Sequence, residues 1–116
     1  MTKIYYFVSL SGEKPVEKFI NSLSEKQQTK ILRDFKHIRE HGLIKPIPDL
    51  KKLSGTPLWE IRILGKDSIR LIYAVVFMGH VLILHGFIKK TNKTPQKELK
   101  TALQRFKIWR SIYPTS

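Results

Sequence analysis

The sequence predicts an α+β fold: a single small domain, residues 1–116, in which an antiparallel sheet carries an N-terminal αα-hairpin and a C-terminal helix. Three observations lead there. The 116 residues suffice for one ordinary domain with its own core. A composition of 41% hydrophobic and 27% charged residues fits a globular chain better than a disordered basic tail. Apolar patterning alternates between strand-like and helix-like stretches, giving the order β-α-α-β-β-β-α.

The elements follow in order. Lys3–Ser9 is aromatic and β-branched and ends at Ser11-Gly12, as a first strand would. Pro15–Leu23 sets Val16, Phe19, Ile20 and Leu23 on one helical stripe, with Pro15 tolerated in the first turn. Ser24 can cap a second helix, with Gln27 as its capping-box partner. That helix repeats Ile31, Phe35 and Ile38 and stops at Gly42. Leu43–Pro57, with its prolines and Gly55, reads as the one long loop. Leu58–Leu64, Ser68–Phe77 and His80–Phe87 form a meander, turning at Gly65-Lys66-Asp67 and at Met78-Gly79. A basic loop, Ile88–Thr94, leads to a last helix with Thr94 as cap and Pro95 in its first position. Its apolar stripe is Leu99, Ala102, Leu103, Phe106, Trp109 and Tyr113.

Composition excludes several classes. With no cysteine, disulfides, thiolate catalysis and Cys-based zinc sites are absent together. His37, His41 and His80 show no metal-ligand spacing, and no cofactor motif is present. Residues 71–88 hold no Asp, Glu, Lys or Arg, but Met78-Gly79-His80 and His85-Gly86 interrupt them, so a hairpin is expected and no membrane span. Ile4–Leu10 is too short for a signal h-region, and a cytoplasmic location is the expectation. Twenty-two Lys and Arg against nine Asp and Glu give a net charge of +13, which calls for a polyanionic partner. More than half of that excess, +7, falls in residues 89–116.

Strand parity gathers the candidate chemistry. A turn over 65–67 sets Arg62 opposite Arg70 and Glu60 opposite Ile72, and a turn at 78–79 sets Phe87 beside Arg70 and His85 beside Ile72. Side chains alternate between faces, so Glu60, Arg62, Arg70, Ile72, His85 and Phe87 share one face. Trp59, Ile61, Ile63, Ile69, Leu71, Tyr73, Leu84 and Gly86 share the other, the core face. Two arginines directly opposite each other cost stability unless a carboxylate or a bound anion offsets them. Lys51 and Lys52 precede this cluster and Lys89 and Lys90 follow it, making a cationic patch suited to phosphate oxygens. The face is also readable as a solvated Glu–Arg ladder, and His85 as a satisfied core histidine. On the last helix, Lys97, Lys100, Arg105, Lys107 and Arg110 make a basic face that is either simply solvated or docked on phosphate.

The stretch Leu53-Ser54-Gly55-Thr56-Pro57-Leu58-Trp59-Glu60-Ile61-Arg62, then Arg70-Leu71-Ile72-Tyr73, then Leu84-His85-Gly86-Phe87-Ile88-Lys89-Lys90-Thr91-Asn92-Lys93-Thr94-Pro95 resembles the HigB branch, the phage-derived Gp49-like group, of the RelE/ParE toxin superfamily. The combination of these motifs is specific, although each alone is weak. The resemblance implies a microbial-RNase-like fold and the toxin of a type II toxin–antitoxin pair. It implies an endoribonuclease that cleaves mRNA on the translating ribosome without metal or cofactor, by attack of a ribose 2′-OH on the adjacent phosphate. The partners it implies are mRNA, the ribosome and a cognate helix-turn-helix antitoxin.

By position, Arg70 resembles the family's phosphate-binding arginine, and Arg62 falls where relatives place a basic active-site residue. Lys89 and Lys90 fall where relatives carry a basic pair. The expected catalytic set is Arg62, Arg70, His85, Glu60 and Lys89, with His85 or Glu60 as base. Lys51, Lys52, Lys90, Lys93, Lys97 and Lys100 are expected to hold RNA. Relatives of the RelE type have a tyrosine soon after the basic pair, and residues 91–96 contain none, which leaves the general acid open between His85 and Tyr113. Two other readings share these features: a ParE-like gyrase poison without RNA chemistry, and a non-catalytic basic RNA-binding module.

Overall fold

The computed structural model describes residues 1–44, 48–90 and 92–114. Among these, the strands are β1 (Ile4–Tyr6), β2 (Asp49–Lys52), β3 (Trp59–Arg62), β4 (Ile69–Val76) and β5 (His80–Ile88). The helices are α1 (Pro15–Asn21), α2 (Glu25–His41) and α3 (Gln96–Ile112), and a 3-10 turn over Phe77–Gly79 joins β4 to β5. The strands form one sheet in the spatial order β1-β5-β4-β3-β2. All neighbours are antiparallel except β1, which runs parallel to β5. The chain therefore has the small α+β architecture that its patterning predicts.

Both faces of the sheet are covered. On one, Val16 and Ile20 of α1 and Ile31, Phe35 and Ile38 of α2 pack against Leu50, Ile61, Leu71, Tyr73, Val81 and Ile83. On the other, Ala102, Phe106 and Trp109 of α3 pack against Ile72, Ala74, Leu82, Leu84 and Phe87. The face assigned to chemistry is thus half core, with α3 lying over it. The αα-hairpin is set by local chemistry. Ser24 accepts from the Gln27 amide while the Gln27 side chain accepts from the Ser24 amide, the reciprocal capping box. At the other end Gly42 closes α2 with φ 81°, a conformation a Cβ disfavours.

Several expectations change. The segment expected to be one long loop, Leu43–Pro57, contains β2, an edge strand that pairs Asp49 with Arg62 and Lys51 with Glu60. Prolines 46 and 48 mask it, since they lie just before the first paired residue; residues 45–47 themselves lie outside the described residues. Thr94 does not cap α3. Pro95 occupies the cap position with no side-chain bond to the helix, and the Thr94 hydroxyl turns to Glu60 instead.

Leu84 also changes face. The β4–β5 turn is longer than a two-residue hairpin and pairs Val76 with His80. A bulge opposite the Ile72–Tyr73 step then restores the predicted pairs Ile72–His85 and Arg70–Phe87. The extra residue is Leu84, which joins His85 on the α3 side rather than the α1–α2 core. The apolar run over residues 71–88 is this hairpin. No helix among the described residues is long and apolar enough to cross a membrane.

Candidate functional site

Cross-strand register builds the site. One row across the sheet reads Asp49, Arg62, Arg70, Phe87, and the next reads Lys51, Glu60, Ile72, His85. Arg62 and Arg70 stand directly opposite each other, as predicted. Each has its own carboxylate. Arg62 Nη2 donates to Asp49 Oδ1 at 2.9 Å, a pair that is about one-third exposed. Arg70 Nε lies 3.3 Å from Glu60 Oε1, with the glutamate fully buried. The second Glu60 oxygen accepts the Thr94 hydroxyl at 2.6 Å, which ties the start of α3 to the middle of the sheet.

The cluster is unfinished as a hydrogen-bond network. Glu60 Oε1, Arg62 Nε and Arg70 Nε are buried without a hydrogen-bond partner among the described residues. The Arg70–Glu60 approach is an ion pair whose N–H is not aligned on the oxygen. Native proteins leave few buried polar atoms in this state, and those that occur tend to mark sites. Donors held close and unsatisfied form a ready seat for anionic oxygens.

Lys89 is anchored beside the cluster by its backbone, whose N–H donates to Ser68 O at 2.8 Å. Desolvation lowers its pKa below the usual lysine value, and the charges of Arg70, Lys51 and Arg62 add to the depression against the opposing pull of Glu60. The structure thus brings Glu60, Arg62, Arg70, Lys51 and Lys89 together. Lys52 belongs elsewhere. It pairs with Trp59 on the opposite face, its Nζ donates to Thr56 O across the β2–β3 turn, and it lies over the Trp59 ring at 5.7 Å. Lys90, Lys97 and Lys100 are exposed around the start of α3, as is Lys93.

His85 stands beside Ile72 as its parity predicts, but its side-chain partners come from α3 and not from the arginine cluster. It is two strands from Glu60 in the same row, about 10 Å away at strand spacing. Its Nδ1 is 3.1 Å from Arg105 Nη1 and its Nε2 is 3.0 Å from Glu98 Oε1. A guanidinium can only donate, so Nδ1 accepts, and Nε2–H donates to the carboxylate. Arg105 also donates to Leu84 O at 2.9 Å, at the bulge. Burial holds the His85 pKa below its ordinary value, and Arg105 adds to this against the two contributions of Glu98. Both ring nitrogens are engaged by α3.

Sequence reasoning missed Asp49, Thr94, Glu98 and the inward role of Arg105. The available signal for the last two was their seven-residue spacing, which returns them to one face of a helix together with Ala102 and Phe106.

The fold and the cluster define a small cationic α+β domain of the RelE type. The chain belongs to the phage-derived protein Gp49-like family, whose model matches residues 18–107. No curated protein matches the sequence. Among solved structures, it is similar to a chain of the YoeB–YefM complex from Staphylococcus aureus at 23% identity. That match covers 78% of this chain and 99% of the other, with a TM-score of 0.54. A chain of the heterotetrameric YoeB–YefM toxin–antitoxin complex from Staphylococcus aureus matches at 25% identity over 72% of this chain and 91% of the other, with a TM-score of 0.49. The YoeB dimer from Staphylococcus aureus matches at 24% identity, 71% and 90% coverage, and a TM-score of 0.49.

Proposed function

We propose that this protein is the toxin of a type II toxin–antitoxin pair and cleaves mRNA on the translating ribosome, in the cytoplasm. The observation that carries the reading is the Arg62–Arg70 pair facing each other with three unsatisfied buried polar atoms and Lys89 beside them. Membership of the Gp49-like family supports it.

In the proposed reaction the ribose 2′-oxygen attacks its own 3′-phosphorus and the P–O5′ bond breaks. A 2′,3′-cyclic phosphate and a 5′-hydroxyl result. Arg70 and Arg62 hold the phosphorane oxygens, where preorganised donors lower the barrier most. Glu60 takes the 2′-OH proton once the Thr94 hydroxyl swings off Oε2. Lys89 gives a proton to the leaving 5′-oxygen; its lowered pKa makes it a better acid near neutral pH than an ordinary lysine. His85, with both nitrogens engaged, takes the positioning role of fixing α3 on the sheet. The need for a 2′-OH selects RNA over DNA. Lys51, Lys90, Lys93, Lys97 and Lys100 are assigned to flanking RNA and ribosomal RNA. Ribosomal positioning of the message supplies orientation that these few groups do not.

The test is induction in cells followed by primer-extension mapping of mRNA ends. New 5′-hydroxyl ends on translated messages, with arrested translation, are expected. DNA damage with intact messages would instead indicate a gyrase poison, and RNA binding with neither effect a non-catalytic module.

A further inference from the structure

Asp34 of α2 is a buried carboxylate with no partner. It is 6% exposed, and no hydrogen bond or ion pair joins its carboxyl to another described residue. A carboxylate held in that state is costly unless donors reach it. Burial raises its pKa above the ordinary value; Arg33 and His37 oppose the rise, and Asp49 adds to it.

The carboxyl borders a groove of about 520 Å³ between α2 and the end of β3, whose lining includes Asp34, His37, His41 and Leu64. His37 and His41, one helical turn apart, set their rings 4.8 Å from each other. Leu64, 58% exposed, supplies an apolar wall from the sheet. The second carboxylate of the groove, Glu40, is taken up by Lys36 at 4.0 Å, whereas Arg33 has no ion pair among the described residues. Among those residues no three His, Asp or Glu side chains converge as metal ligands do, which favours an occupant rich in N–H groups.

The groove adjoins the arginine cluster. Leu64 follows Arg62 by two residues, about 7 Å at strand rise. Asp49, which accepts from Arg62 at 2.9 Å, is the carboxylate whose charge reaches Asp34.

We propose that this groove takes a guanine base of the RNA strand held at Arg62 and Arg70, and thereby selects where the strand is cut. The assignment rests on the RNase reading above and adds a sequence preference to it. Guanine presents two adjacent donors, N1–H and N2–H, on its Watson–Crick edge, and a carboxylate, which only accepts, pairs with both. The other three bases each put an acceptor at one of those two positions, facing a carboxylate that repels it. The His37 imidazole offers a stacking surface and Leu64 an apolar one, as extruded RNA bases require. Arg33 attracts the phosphate of the same nucleotide.

The test begins with calorimetry on the intact chain and nucleoside monophosphates. Guanosine monophosphate should bind about tenfold more tightly than adenosine monophosphate, the discrimination of a bidentate pair. Inosine monophosphate, which lacks the N2 amine, should also bind more weakly than the guanosine form. Asp34→Asn should erase both preferences while melting close to wild type. In cells, mapped wild-type cleavage sites should share a guanine at a fixed distance from the cut, and Asp34→Asn should still cleave but lose that guanine. Equal binding of the three nucleotides, or a guanine preference that survives Asp34→Asn, would overturn the proposal. So would guanosine binding that depends on Asp34 with cleavage sites unchanged in the variant, because the groove would then hold a free nucleotide and not the message. Absence of cleavage by wild type, with guanosine binding still dependent on Asp34, would sink the RNase reading and leave guanine recognition standing.

Discussion

Glu60, fully buried in β3, faces Arg70 of β4 at 3.3 Å, and neither Glu60 Oε1 nor Arg70 Nε completes a hydrogen bond. A buried carboxylate is tolerated in a sheet only with a cation beside it. Arg70 is therefore tied both to the stability of the sheet and to the proposed phosphate site. Loss of function in an alanine variant does not separate the two.

The first prediction separates them. Arg70→Ala removes the guanidinium paired with the buried Glu60 side chain, and should cost about 3–5 kcal/mol in chemical denaturation. Adding Glu60→Gln should recover most of that stability without recovering cleavage. Arg70→Lys keeps a charge but not the planar fork, and should remain folded while cleaving on the order of a hundredfold more slowly. Cleavage by Arg70→Lys at the wild-type rate would remove Arg70 from the phosphate site.

Lys89 gives a prediction in pH. Its folded pKa is lowered, with desolvation the largest cause. As a general acid it works protonated, so the single-turnover rate on ribosomes should fall as pH rises, and the fall should begin below the ordinary lysine range near about 10.4. Lys89→Arg, which stays charged, should cleave slowly with no such alkaline limb. An identical pH profile in both proteins would assign proton donation to another group.

Much of this cluster was legible because β-sheet parity is a strict rule. Once the turn at Gly65-Lys66-Asp67 is placed, Arg62 must face Arg70. The β4–β5 register came out right at the site end for a less direct reason. The turn is one residue longer than a tight hairpin, and the bulge at Leu84 cancels the difference before His85 is reached. A bulge leaves no mark in apolar alternation when both residues involved are buried, so the face of Leu84 was not readable. Asp49 was hidden because a four-residue edge strand behind prolines has the composition of a loop. The partners of His85 were hidden because sequence gives the face of a helix but not the face of the sheet it covers. That choice is made by packing of Ala102, Phe106 and Trp109 on Ile72, Leu84 and Phe87.

His85 should make stability pH-dependent. Its folded pKa lies below the unfolded value, so between the two the unfolded chain binds more protons. Stability is then fully present above about 6.5 and declines as pH falls through that value toward the folded pKa. Thermal melts at about pH 5 and 7.5 should show a larger loss in wild type than in His85→Gln, which lacks the titrating ring. Equal losses would mean that the imidazole is not held neutral between Arg105 and Glu98.

Gly86 joins the site to the rest of the core. It follows His85 on β5 and turns to the opposite face, where α1 packs. A Cβ there would lie 2.4 Å from Phe19 Cδ2 and 3.0 Å from Leu71 Cδ2, well inside contact distance. The aromatic ring cannot fold out of the way as a lysine tip can, so α1 must shift on the sheet or the strand must bend. Gly86→Ala should cost about 1–3 kcal/mol, the usual range for overpacking. Because the strain enters one residue from His85, loosened packing of α3 is expected with it, seen as faster amide exchange around Glu98 and Arg105. Phe19→Ala removes the clashing ring and costs stability on its own, yet it should make the alanine at 86 nearly neutral in a double-mutant cycle. If the two substitutions add independently, the close approach of Phe19 to the β5 backbone is not what requires glycine.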